Sequence, residues 1–121
     1  MGLRDSFLVN VATSLENSGV IQHVAFSDNS QNINPTATGF IDELGVRVPV
    51  STTRNDRVVS WVATRTGAEV VGGSGDLLRG VGWSEASSGG SFPGVRNIPN
   101  ILHTNNFDLQ VSLSVAVRRR S

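Results

Sequence analysis

Residues Phe107–Arg118 read FDLQVSLSVAVR. In an extended chain, Phe107, Leu109, Val111, Leu113, Val115 and Val117 share one face, and Asp108, Gln110, Ser112, Ser114 and Arg118 share the other. Apolar side chains at a period of two, with only Ala116 interrupting the polar face, cannot make the stripe that a helix of about 3.6 residues per turn requires. The stretch therefore predicts a half-buried β-strand. At about 3.3 Å per residue it would run roughly 35 Å, the length of a strand in a large sandwich or barrel sheet. Arg118, Arg119, Arg120 and Ser121 follow it, which would set a basic terminus at the sheet's edge, within reach of a neighbouring molecule.

The remaining composition narrows the classes available. A chain of 121 residues is long enough to bury one core without staples and reads as a single β-sandwich domain, residues 1–121. It has no cysteine, so disulfides and thiolate metal sites are excluded and nothing argues for an oxidising compartment. Arg4 and Asp5 stand where a signal peptide would have its apolar core, and no apolar run approaches the ~18 residues of a membrane span. A soluble protein made in a cytoplasm is expected. Ten acidic residues balance ten basic ones, which leaves no global field to draw in nucleic acid or membrane. All ten basic residues are arginines, a bias that suits bidentate and stacked contacts.

Working back along the chain, Leu3, Phe7, Val11 and Leu15 recur every four residues with Leu8 beside them, and Gly19 stands where a helix-terminating glycine would. The spacing predicts one amphipathic helix over about residues 3–18. A short strand is expected at Val20–Phe26. The segment Ser27–Thr38, SDNSQNINPTAT, reads as a long polar loop. Val46, Val48 and Val50 alternate, and either Val59, Trp61 and Ala63 or Val58 and Val62 alternate beyond Asn55-Asp56, so a hairpin is expected there.

After the flexible Gly72-Gly73-Ser74-Gly75 comes a strand at Leu77–Trp83, with Leu77, Val81 and Trp83 predicted on one side and Gly80 and Gly82 on the other. Glycines inside a strand mark a bulge or a close backbone approach. Ser91–Ile98 carries Pro93 and precedes Pro99, which confines it to an edge or an irregular path. One helix followed by about six strands, with no helix between strands, predicts a mainly β protein: an antiparallel β-sandwich, jelly-roll-like, with an N-terminal helix.

Catalytic patterns are sparse. His23 and His103 are the only histidines, and neither has metal ligands at a usable spacing. Structural or surface roles are expected for both. Asp28, Asp42 and Glu43 read as loop or cap residues rather than an acid and base pair. Gly73-Ser74-Gly75 is too short for a nucleophile elbow, a Walker loop would need a lysine that the chain lacks, and no βαβ unit surrounds the glycines. Trp61 and Trp83 share strand faces with valines, which favours core packing over a ligand platform. The arginine tail has two readings: a contact for an acidic protein surface, or a solvated guard at the end of an apolar strand. Three charges would give nucleic acid only a few salt-sensitive phosphate contacts, so no nucleic-acid partner is expected.

Two segments carry a family resemblance. Glu43-Leu44-Gly45-Val46-Arg47-Val48-Pro49-Val50 precedes the strand Val58–Thr64, and Leu78-Arg79-Gly80-Val81-Gly82-Trp83-Ser84-Glu85-Ala86-Ser87-Ser88-Gly89-Gly90 precedes the terminal β pair. With the N-terminal helix before them, they make the chain, from Leu3 to Arg118, resemble small virion structural proteins of tailed bacteriophages, of the tail-collar-fibre and small tail-protein type. The resemblance implies a β-sandwich scaffold without a catalytic residue or cofactor, located in a virion assembled in the host cytoplasm. It implies a protein of the viral tail, collar or baseplate that forms a homo-oligomer and binds other virion proteins, with no small-molecule substrate and no membrane. The loop Ser27–Thr38 aligns with nothing in that type and no fibre-forming extension is present, so capsid decoration stands as an alternative. A carbohydrate-binding β-sandwich using Trp61 or Trp83 is a further one. The candidate protein-contact residues are Arg118, Arg119 and Arg120 of the tail and Asn32 and Asn34 of the loop.

Overall fold

The computed structural model describes residues 5–33 and 39–118. Asp5–Asn17 forms helix α1. Seven strands follow among the described residues: β1 His23–Ser27, β2 Val48–Pro49, β3 Ser51–Asn55, β4 Val58–Arg65, β5 Asp76–Ser84, β6 Gly94–His103 and β7 Leu109–Ala116, with a short 3-10 helix at Gly67–Glu69. Every strand pairing is antiparallel, and the strands form two sheets, β2-β1-β5-β6 and β3-β4-β7. The protein is thus mainly β, with two antiparallel sheets and one N-terminal helix, as the sequence predicts. The jelly-roll likeness extends no further than this two-sheet packing.

The core lies where the two sheets face each other. Val24, Phe26, Val48, Leu78, Val81 and Trp83 of the first sheet join Val59, Trp61 and Ala63 of the second, together with Ala12 and Ile21, in one buried cluster. Of the two alternations open for β4, the odd-numbered one points inward. The β3–β4 hairpin turns at Asp56-Arg57, because Asn55 pairs with Val58, and Asp56 takes the positive φ that an aspartate tolerates in a tight turn.

The structure corrects several details. β7 has the expected facing, with Leu109, Val111 and Leu113 against the core and Gln110, Ser112 and Ser114 exposed. It is shorter than predicted and lies at the edge of its sheet, and Phe107 and Val115 near its ends are 42% and 38% exposed. In α1 the inward stripe is Leu8, Ala12 and Leu15, not Phe7 and Val11, which are 50% and 40% exposed. Ala12 has no side chain beyond Cβ, so the helix backbone can lie close to β3 and β4, on which it packs. Leu3 lies outside the described residues.

β5 changes phase at a bulge between Leu78 and Gly80. Asp76 and Leu78 point inward before it and Val81 and Trp83 after it, which turns Leu77 outward against expectation. β1 begins later than predicted, and Val46 stands in solvent ahead of the two-residue β2. β6 runs beyond Ile98 to His103 and tolerates Pro99 because it is an edge strand, with pairing to β5 interrupted around that residue.

Candidate functional site

Among the described residues, chemistry-bearing side chains gather in three places. The first begins with Arg65, the residue that continues the inward alternation Val59, Trp61, Ala63 at the end of β4. Its side chain enters the space between the sheets and meets Asp76 at the start of β5 and His103 at the end of β6, which are register partners. Arg65 is 1% exposed, Asp76 4% and His103 0%.

The Arg65 guanidinium donates from Nη2 to Asp76 Oδ2 at 2.6 Å and to the Glu69 carbonyl at 3.2 Å, and from Nη1 to His103 Nδ1 at 2.7 Å. Arginine has only donors, so Nδ1 is the acceptor and the imidazole carries its proton on Nε2, which donates to the Phe107 carbonyl at 2.8 Å. The other contacts complete the cluster. Val71 and Gly72 donate backbone N–H groups to the Asp76 carboxylate at 2.9 and 2.8 Å, and the Arg65 guanidinium carbon lies 5.4 Å from the centre of the Phe26 ring. Burial alone would push the Asp76 carboxyl up; the Arg65 hydrogen bond, the two N–H donors and the Arg65 charge outweigh it and hold the carboxyl below its ordinary value.

The second place lies on the outer face of the four-stranded sheet. Arg47 makes a bidentate pair with Glu43, Nε to Oε2 at 2.8 Å and Nη2 to Oε1 at 3.0 Å. Its Nη1 donates to Ser84 Oγ and to the carbonyls of Ala86 and Gly89 at 3.2, 2.7 and 2.8 Å, and the guanidinium lies over the Phe92 ring. Phe92 stacks on Phe40 with centroids 4.9 Å apart. These rings explain Gly82: a Cβ there would lie 2.7 Å from Phe92 and 2.8 Å from Phe40. Arg47 therefore ties the segment Glu43–Val50 to the segment that ends β5 and follows it.

The third place is built on Gln31, in the segment expected to be a long polar surface loop. Its side chain receives the Ile41 N–H at 2.8 Å and donates to the carbonyls of Ile41 and Asn29 at 2.9 and 3.1 Å. Its backbone N–H donates to Asn97 Oδ1 of β6 at 2.6 Å, and it lies over Gly80, where a Cβ would come within 2.6 Å of its Cγ. The described part of this loop is thus fastened onto the sheet. Asp42 accepts from Asn29 Nδ2 at 2.9 Å, a loop role as expected.

Of the sequence-predicted contact residues, Arg119, Arg120 and Asn34 lie outside the described residues. Arg118 is exposed just beyond β7, and Asn32 is exposed in the loop after β1. Trp61 and Trp83 are both buried, which removes the exposed face that stacking on a sugar requires. Trp83 Nε1 and His23 Nδ1 are buried without a hydrogen-bond partner among the described residues. No group of three or more His, Asp or Glu side chains among the described residues is placed to hold a metal ion, and no described helix is long and apolar enough to cross a membrane. Sequence reasoning missed Arg65, Asp76, Arg47 and Gln31. Only Arg65 carried a readable signal, since it occupies the next inward position after Ala63.

No protein-family model matches the chain, and no curated protein matches it.

Proposed function

We propose that the chain is a non-enzymatic structural protein of a virion, in the tail, collar or baseplate region, that works through self-association and contacts with other virion proteins. The observation that carries this reading is how the buried polar groups are used. Arg65, Asp76, His103, Arg47 and Gln31 are committed to bonds that hold strands and loops together, and the catalytic uses of such groups need a lone pair or proton left for a substrate. A body braced in this way suits a component that is loaded by its neighbours. The resemblance supplies the virion context, and its two segments meet at Arg47, where they act as a brace.

The test is immunogold electron microscopy of virus particles purified from cells carrying the gene. Gold at the tail, collar or baseplate is the expected result; gold confined to the shell would replace this reading with capsid decoration. Particles without label, together with retention of the protein on a glycan array, would overturn it.

A further inference from the structure

The four sheet edges are guarded unequally. β2 is two residues long and ends in Pro49, β3 is short and carries Arg54, and β6 carries Arg96 and Pro99. Charges, prolines and short length are the usual protections against unwanted strand pairing. β7, LQVSLSVA, has none of these and no glycine. Its Val117 N–H donates to the Arg57 carbonyl of the β3–β4 hairpin at 2.8 Å, so the odd-numbered backbone groups face β4. Groups alternate along a strand, and Gln110, Ser112, Ser114 and Ala116 therefore direct N–H and C=O to the side that is open among the described residues.

We infer that this edge pairs antiparallel with β7 of a second copy of the chain, about a two-fold axis through Leu113. In that register Leu109 faces Val117, Val111 faces Val115 and Leu113 faces its own copy, so the apolar face remains continuous on the core side. Ser112 falls opposite Ser114, repeating the contact that Ser114 makes with Ser60 of β4, at 2.8 Å between hydroxyls. Asp108, whose Oδ1 also accepts the Gly67 N–H at 3.1 Å, falls opposite Arg118, and the two-fold axis makes that attraction twice. A shift of two residues one way sets Asp108 opposite Ala116 and loses the charge match, a shift the other way exchanges Arg118 for Arg120 as its partner, and parallel pairing in register would set Asp108 beside Asp108 and Arg118 beside Arg118. The two three-stranded sheets become one six-stranded sheet across the dimer, an isologous interface of the commonest kind. This pairing gives the proposed self-association its partner and register, and it rests on that reading.

Size-exclusion chromatography with light scattering over a dilution series tests it, with circular dichroism as the check on folding. The wild-type chain is expected at twice its monomer mass. Ser112→Pro deletes an N–H that faces the open edge and leaves the β4 ladder intact, so it should give a folded monomer. Should proline unfold the chain, the charge variants still carry the test. Asp108→Arg and Arg118→Asp should each weaken the dimer by roughly tenfold, and the double variant should restore it, because each strand end again meets its opposite charge. A wild-type monomer at every concentration, a folded Ser112→Pro dimer, or charge variants with unchanged dissociation would each overturn the pairing. None of these results would move gold label on particles, the readout of the functional reading.

Discussion

Arg65, Asp76 and His103 show how one buried charge pair can be held without a defect. Taking two ions out of water is unfavourable unless hydrogen bonds fill their remaining valences, and here the carboxylate has two backbone N–H donors while the guanidinium reaches an imidazole and a carbonyl. Asp76→Asn should therefore destabilise the fold by about 3–5 kcal/mol, since Arg65 would remain buried without its counter-charge. Urea unfolding of the two proteins at neutral pH checks this. The acid limb follows from the same carboxyl. Its folded value lies below its unfolded value of about 3.9, so its contribution to stability is full above that pH and disappears as pH falls through the folded value, where the native state also takes up the proton. The loss of stability below about pH 4 should be shallower in Asp76→Asn than in wild type.

At the scale of elements, the patterns with a strict period were the legible ones. β7 and β4 alternate cleanly because each has one face on the core, and their facing was readable from side-chain polarity alone. α1 was read one position out of phase. Phe7 and Val11 are larger and more apolar than Ala12, but the surface of β3 and β4 admits the small residue, and propensity or hydrophobicity cannot report the shape of the surface a helix meets. β5 misled in a different way: the bulge after Leu78 switches the period, and Gly80 and Gly82 marked the place without giving the direction. The Arg47 and Gln31 clusters were hidden because each has partners far away in sequence, Ala86 and Gly89 for Arg47 and Asn97 for Gln31, and because both bond to main-chain carbonyls, which no residue pattern records.

Two substitution pairs test these placements. Leu8→Ala should destabilise the protein by about 2–5 kcal/mol, while Phe7→Ala, removing a half-exposed ring, should change stability by less than about 1 kcal/mol. Thermal unfolding separates them, and the opposite order would restore the sequence-based facing. On β7, Leu113→Asp sets a charge against the core and should destabilise the fold by about 2 kcal/mol or more; Ser112→Asp points to solvent and should leave its unfolding midpoint nearly unchanged.

For the whole molecule, the same economy of contacts has two consequences. Loops that would ordinarily move are fastened: Arg47 holds the segment after β5 and Gln31 holds the segment after β1, so the outer face of the four-stranded sheet is covered around Gly80, Gly82 and Ser84. The opposite end of the architecture, the β7 edge of the three-stranded sheet, is left with main-chain groups directed outward. Among the described residues this is the edge on which the proposed pairing with a second copy depends. Hydrogen–deuterium exchange at high and low protein concentration reads that claim most directly. The amides of Gln110, Ser112, Ser114 and Ala116 should exchange slowly in concentrated solution and become faster on dilution, while those of the β1 and β5 core strands stay protected throughout; exchange at the β7 edge that is fast at every concentration would contradict it.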